Sequence, residues 1–275
     1  GGLAAVVIAA AVGYGASERL AFGGGRALFG GSPARVGGEA GGLLDAGGRG
    51  RRPAVTSTFD RSGPRGAEGR EGGVGRVPLV RAGARLAALG VRQQLQAGAA
   101  GTYIGELLLR RDSSLIRWPD RASRPLAVFV GDGAGLADWR PEYVTAVASA
   151  LAAWTRAGVP LAFQLTPDSA RADVRVGWID RFADPISGRT VWARDDRWWL
   201  VDGTVTLALH HSDGVPLDPE QMRAIALHEV GHLIGLDHTD GPDHVMAARV
   251  RVRDLSPADG ATARLLYSVP AGRVR

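Results

Sequence analysis

The stretch HEVGHLIGLDH, residues 228–238, holds three of the chain's six histidines, and any fold must accommodate their spacing. His228 and His232 are one helical turn apart, so on an α-helix they sit only about 40° from each other on one face. The start of that helix is marked in the sequence. Asp218 suits the N-cap, Pro219 suits the first helical position, and Gln221, three residues after Asp218, completes a capping-box arrangement. Met222, Ala226, Leu227, Val230, Leu233 and Ile234 share the side opposite the histidines. This predicts a helix with one face in the core and two imidazoles presented to a cleft. Gly235 can take a left-handed conformation, which would end the helix and swing His238 back toward the same point.

Two neutral imidazoles one turn apart can both reach a metal ion at about 2.0–2.1 Å, and His238 supplies the third ligand of a zinc site. Three histidines leave one tetrahedral position open, which marks a catalytic site and not a structural one. Water in that position has its pKa lowered from about 15.7 toward about 7. Glu229 adjoins His228 and is free of ligand duty, so it is placed to accept that water's proton. The expected site is therefore one catalytic Zn2+ on His228, His232 and His238, with Glu229 as general base.

The rest of the chain divides by composition. Residues 3–12, LAAVVIAAAV, form an apolar run followed by small residues. Its length suits a signal peptide and falls short of the roughly 20 residues needed to span a bilayer. Residues 1–17 are read as a signal-peptide or anchor remnant. Export, to the cell envelope or beyond it, is expected, with an uncleaved N-terminal anchor as the alternative. Residues 18–83 are dominated by Gly, Ala and Arg. They offer too little apolar surface to offset the entropy lost on ordering and are expected to be disordered. Residues 84–120 are read as an N-terminal helical extension, in which ARLAALGVRQQLQ places Leu86, Leu89 and Leu95 near helical spacing and stops at Gly98.

From residue 121 to 275 the patterning is dense. PLAVFVG reads as a buried strand, and RPEYVTAVASALAAWTRAG as a helix with Pro141 in its first turn and Val144, Val147, Leu151 and Trp154 on one face. The period then changes from 3.6 to 2. LAFQL and ADVRVGWI alternate as half-buried strands, TVWAR and WWLVD flank a turn at 195–197, and TVTLALH reads as a further strand. The expected class is α+β: a mixed twisted sheet of about five strands with a core helix, an active-site helix and a C-terminal helix.

Charge argues against one obvious alternative. The net charge is +5, but residues 1–120 carry 16 Arg against 9 acidic residues while 121–275 carry 17 against 19. A basic tail without interleaved aromatics is a weak nucleic-acid signature, and no nucleic-acid partner is expected. The chain has no cysteine, which rules out disulfides, a thiol nucleophile and a lipid anchor on cysteine.

The pattern H228-E229-x-x-H232-x-x-G235-x-x-H238 resembles the extended zinc signature of the metzincin metallopeptidases. Met246, in DHVMAARV, is similar to the family's Met-turn, a hydrophobic floor beneath the ligands. LSPADGATARLLY resembles the terminal helix of the matrixin branch, and the resemblance covers about residues 115–267. It implies an endopeptidase hydrolysing peptide bonds of a polypeptide laid along an edge strand; a monomer is expected. By order along the chain, that strand would include Val191, Trp192 and Ala193, an ordinary outer strand with Trp192 in the core being the alternative. Matrixins held latent by a cysteine are no model for this chain, and residues 178–190 lack the histidines of a second, structural zinc. Ala248 stands two residues after Met246, where relatives carry Tyr or Pro, so primed-side preference is not carried over.

Several residues keep two readings. Asp237 could orient an imidazole or simply bond nearby amides. His210, His211 and His244 are expected in surface or hydrogen-bonded roles. The Asp-rich loops around 180–202 are a candidate Ca2+ site, with solvated carboxylates as the alternative. Two further functions share the residues: a metzincin-fold binding protein without activity, and a zinc hydrolase acting on a non-peptide amide.

Overall fold

The computed structural model describes residues 79–274; the apolar run at 3–12 and most of the Gly/Arg-rich segment lie outside them. Helix α1 (Leu79–Ala97) begins inside the segment expected to be disordered. Its C-terminal half docks: Leu95 is buried, and Gln94 Nε2 donates to Ser268 O at 3.1 Å. Leu86 and Leu89 are exposed, so of the three leucines at helical spacing only Leu95 is buried. Among the described residues no helix is long and apolar enough to cross a membrane.

After α2 (Ile104–Arg110) and the short β1 (Ser114–Leu115) comes β2 (Arg121–Val130), followed by α3 (Glu142–Arg156), β3 (Leu161–Leu165), β4 (Val174–Ile179), β5 (Gly188–Arg194) and β6 (Leu200–Ala208). The chain continues through α4 (Pro219–Leu233) and α5 (Pro257–Ser268) to β7 (Gly272–Arg273), which pairs antiparallel with β1. The main sheet is mixed, in the order β3-β2-β4-β6-β5. All neighbours are parallel except β5 and β6, an antiparallel hairpin in which Val191 faces Thr204 and Trp192 faces Gly203. The five-stranded α+β architecture is the one the period change predicts. One expectation is corrected: WWLVD and TVTLALH are not separate strands but run together as β6, because Gly203 lets the strand continue beneath Leu233, whose side chain occupies the space a Cβ would need.

Helix α3 enters behind Pro141 and buries Tyr143, Ala146, Val147, Ala150, Leu151 and Trp154, with Val144 half-buried. Two of these side chains pin it to the neighbouring segment. Trp154 Nε1 donates to Leu227 O at 2.9 Å, and Tyr143 Oη to Leu217 O at 2.6 Å. Residues 103–118 do not stand apart from the main domain. Tyr103, Ile104, Leu107, Leu115, Ile116 and Trp118 share one core with the sheet and α4.

Candidate metal centre

Helix α4 opens as its sequence predicts. Asp218 accepts from Gln221 N at 2.8 Å, Gln221 Oε1 accepts from Asp218 N at 2.9 Å, and Pro219 follows the cap. The expected division into a core face and a cleft face does not hold, because every residue from Ala224 to Asp237 is buried, His228 and His232 included. The sheet, α3, and the segment after the helix enclose it on all sides. Ile234, expected within the helix, is its C-cap. Gly235 has φ +102°, and a Cβ there would overlap the Ile116 carbonyl oxygen, so both conformation and space demand glycine.

The turn at Gly235 brings the third imidazole back. The Nε2 atoms of His228, His232 and His238 lie 3.1, 3.2 and 3.3 Å from one another. Zinc–nitrogen bonds of 2.0–2.1 Å in a tetrahedron require about 3.3–3.4 Å between ligand atoms, so the spacing fits one zinc ion. Tautomers point the same way. His228 Nδ1 lies 2.7 Å from Val245 O and His232 Nδ1 lies 3.1 Å from Leu236 O. A ring nitrogen facing a carbonyl must carry the proton, which leaves Nε2 of both rings as a bare lone pair. Extra protons do not relieve this crowding of lone pairs. Burial and then the neighbouring His238 push His228 down to about 3, burial and the other two rings hold His232 well below the ordinary value, and His238 is lowered chiefly by burial. Buried nitrogens that converge and refuse protons are suited to a cation. They form the one group of three or more metal-capable side chains found among the described residues.

Two backbone carbonyls thus orient the rings, and each is itself held. Val245 N donates to Asp259 Oδ2 at 3.0 Å, and Asp259, the N3 residue of the α5 capping box, also accepts from Tyr103 Oη at 2.9 Å. Met246 is fully buried, with Sδ filling the space beside Gly231, between the two helical ligands. Asp237, considered as a possible partner for an imidazole, is engaged elsewhere. Its Oδ1 accepts from His238 N at 2.8 Å and its Oδ2 from Arg111 Nε at 3.0 Å. Burial raises its pKa, but Arg111 overrides this and holds the carboxyl below the usual range.

Glu229 turns toward the sheet. Thr190 Oγ1 donates to its Oε2 at 2.6 Å, its carboxylate lies over Gly188, and Oε1 is buried without a protein partner. Burial raises its pKa from 4.5 to about 8, against the lowering by Thr190 and Arg189. Both Thr190 and Gly188 belong to β5, the margin of the sheet, where Trp192 is buried while Val191 and Ala193 are exposed. Thr190, missed at first, shares its face with Trp192 by strand alternation, which is the signal that would have found it. Arg111 and Trp118 carry no such signal.

Two of the other histidines, His210 and His244, have hydrogen-bonded side chains, and His211 is half-buried. His210 lies between Asp138 and Asp180, at 3.2 and 2.9 Å, and His244 Nδ1 lies 2.9 Å from Ser256 Oγ. The carboxylates of the 180–202 loops are distributed among separate partners: Asp184 with Arg189, Asp202 with Arg175, and Asp195 with the amides of Arg197 and Trp199.

The comparison with protein families agrees with this geometry: residues 138–268 match the model of the family described as matrixin. This segment is similar to the matrixin family. The matrixin match spans α3 through α5 and includes all three histidines, Glu229 and Met246. It begins after residues 103–118, which nonetheless share the core. No match is found among curated proteins.

Proposed function

We propose that this chain is a zinc-dependent endopeptidase that hydrolyses peptide bonds with Glu229 as general base. The observation that carries the reading is the mutual spacing of 3.1–3.3 Å among three Nε2 atoms, two of them on a helix that also supplies a buried glutamate. Zinc held by His228, His232 and His238 would supply Lewis acidity, polarising a carbonyl and making a water acidic near neutral pH. The protein's part is proton handling. Thr190 occupies Oε2 of Glu229 and leaves Oε1 free to accept from the attacking water; the same carboxyl then returns the proton to the departing amine. In the metal-free chain burial raises the pKa of Glu229 to about 8; a cation on the three histidines would favour the ionised form that accepts the proton.

A polypeptide substrate fits the margin of the sheet. Strand β5 pairs on one side only, with β6, and directs Val191 and Ala193 outward, so its other side has main-chain groups to offer an extended peptide. Trp192 contributes to the core and not to that surface. The apolar run at residues 3–12 supports an exported enzyme, working outside the cell or in its envelope.

A digest of an unbiased peptide library, comparing the native chain with Glu229→Ala, tests the proposal. Both forms should hold zinc, and the variant should cleave about 10²–10⁴-fold more slowly. Equal turnover by the two forms would remove Glu229 from the mechanism. Zinc binding with no peptide cleaved by the native chain would point to a non-peptide amide or a binding role.

A further inference from the structure

We infer that Arg111 is a positioning residue of the metal centre, so that the centre reaches into chain that precedes the matrixin match. This rests on the zinc reading above. The last carbonyls of an α-helix have no partner within the helix, and at the end of α4 they are satisfied by side chains from distant positions. Trp118 Nε1 donates to Leu233 O and Tyr267 Oη to Ile234 O, both at 2.9 Å. Arg111 takes the next three residues together: Nη1 donates to Gly235 O at 3.0 Å, Nη2 to Leu236 O at 2.9 Å and Nε to Asp237 Oδ2 at 3.0 Å.

Those three residues are the link between the last helical ligand and the third one. Leu236 O is also the acceptor that orients His232, and Asp237 Oδ1 holds the amide of His238. One guanidinium therefore fixes the acceptor of one ligand and the backbone of another. It is 4% exposed, and its Cζ lies 5.6 Å from the centre of the Trp192 ring on β5, so it also ties the ligand loop to the sheet margin. The planar fork of arginine can address three acceptors spread along a turn, whereas the single nitrogen of lysine cannot reach all of them.

Arg117 provides the control. It comes from the same segment and is 9% exposed, but it donates to Val269 O and Trp118 O and to no residue of 228–238. Zinc dissociation constants are measured by competition with a chromogenic chelator for the native chain, Arg111→Lys and Arg117→Lys, with the visible spectrum of the Co2+-substituted forms as a second reading. The Arg111 variant should bind zinc about 10–100-fold more weakly and show an altered Co2+ spectrum, while the Arg117 variant keeps the native affinity. Native affinity in Arg111→Lys would overturn the inference, as would equal weakening in both variants, which would mean a general loss of stability. Should Arg111→Lys fail to fold, Asp237→Asn replaces it. That variant keeps the two carbonyl contacts and removes the ion pair, and about tenfold weaker zinc is expected; unchanged affinity would overturn the inference. If the native chain takes up no zinc, the underlying reading fails first, an outcome distinct from both.

Discussion

Helices α3 and α4 are both 15 residues long, the first following Pro141 and the second beginning at Pro219, and they pack against each other, yet they are held in different ways. Helix α3 is two-sided. Glu142, Thr145 and Arg156 face solvent while Tyr143, Val147, Leu151 and Trp154 face inward, so burial of one face, with the Trp154 and Tyr143 hydrogen bonds along its length, accounts for its place. Helix α4 is buried all round from Ala224 onward, and its end is secured by Trp118, Tyr267 and Arg111 acting on consecutive carbonyls. A helix that must aim two imidazoles with sub-ångström accuracy cannot rely on a greasy face, which tolerates sliding. Directional bonds at its end set the register instead.

Substitutions can break this contrast. Leu151→Ala on α3 should cost about 2–5 kcal/mol in denaturant unfolding, with the zinc affinity of the folded fraction unchanged. Gly235→Ala at the end of α4 should cost less in stability from its left-handed φ alone, about 1–2 kcal/mol. It should nevertheless weaken zinc, because relieving the overlap with Ile116 O displaces the turn that carries His238. Zinc affinity lost in the first variant and kept in the second would reverse the assignment of roles.

A smaller effect concerns pH in the metal-free protein. Folded Glu229 keeps its proton up to about 8, whereas an unfolded glutamate releases it near 4.5. Unfolding therefore releases protons across this window, and stability should decline as pH rises from about 4.5 to about 8. His228 acts in the other direction. Neutral when folded down to about 3 and protonated below 6.5 when unfolded, it withdraws stability as pH falls from 6.5. Denaturant titrations in the presence of a chelator should show that Glu229→Gln flattens the decline between pH 6.5 and 8 and, because the opposing carboxyl contribution is gone, steepens the loss of stability as pH falls from 6.5 to 4.5. An unchanged alkaline slope would mean that the carboxyl is already ionised in the folded chain.

What the sequence made legible follows the same contrast. Periodicity located α3 and the strands, because one face of each meets water. The cap at Asp218, the break at Gly235 and the histidine spacing located the site, because local backbone chemistry requires those residues. The burial of the whole of α4 was not legible, since it depends on what encloses the helix and not on the helix itself. Nor was Arg111, whose role arises from partners at 124–126 positions' separation. The pairing of WWLVD and TVTLALH into one strand was hidden by Gly203, which reads as a breaker until Leu233 is seen resting on it.

The claim on which the rest depends is that three imidazoles hold one ion. Zinc analysis of the purified chain, joined to X-ray absorption at the zinc edge, measures this directly. The account predicts one zinc per chain, with three imidazole nitrogens at about 2.0–2.1 Å. A chain that takes up no zinc, or zinc surrounded only by oxygen, would contradict it.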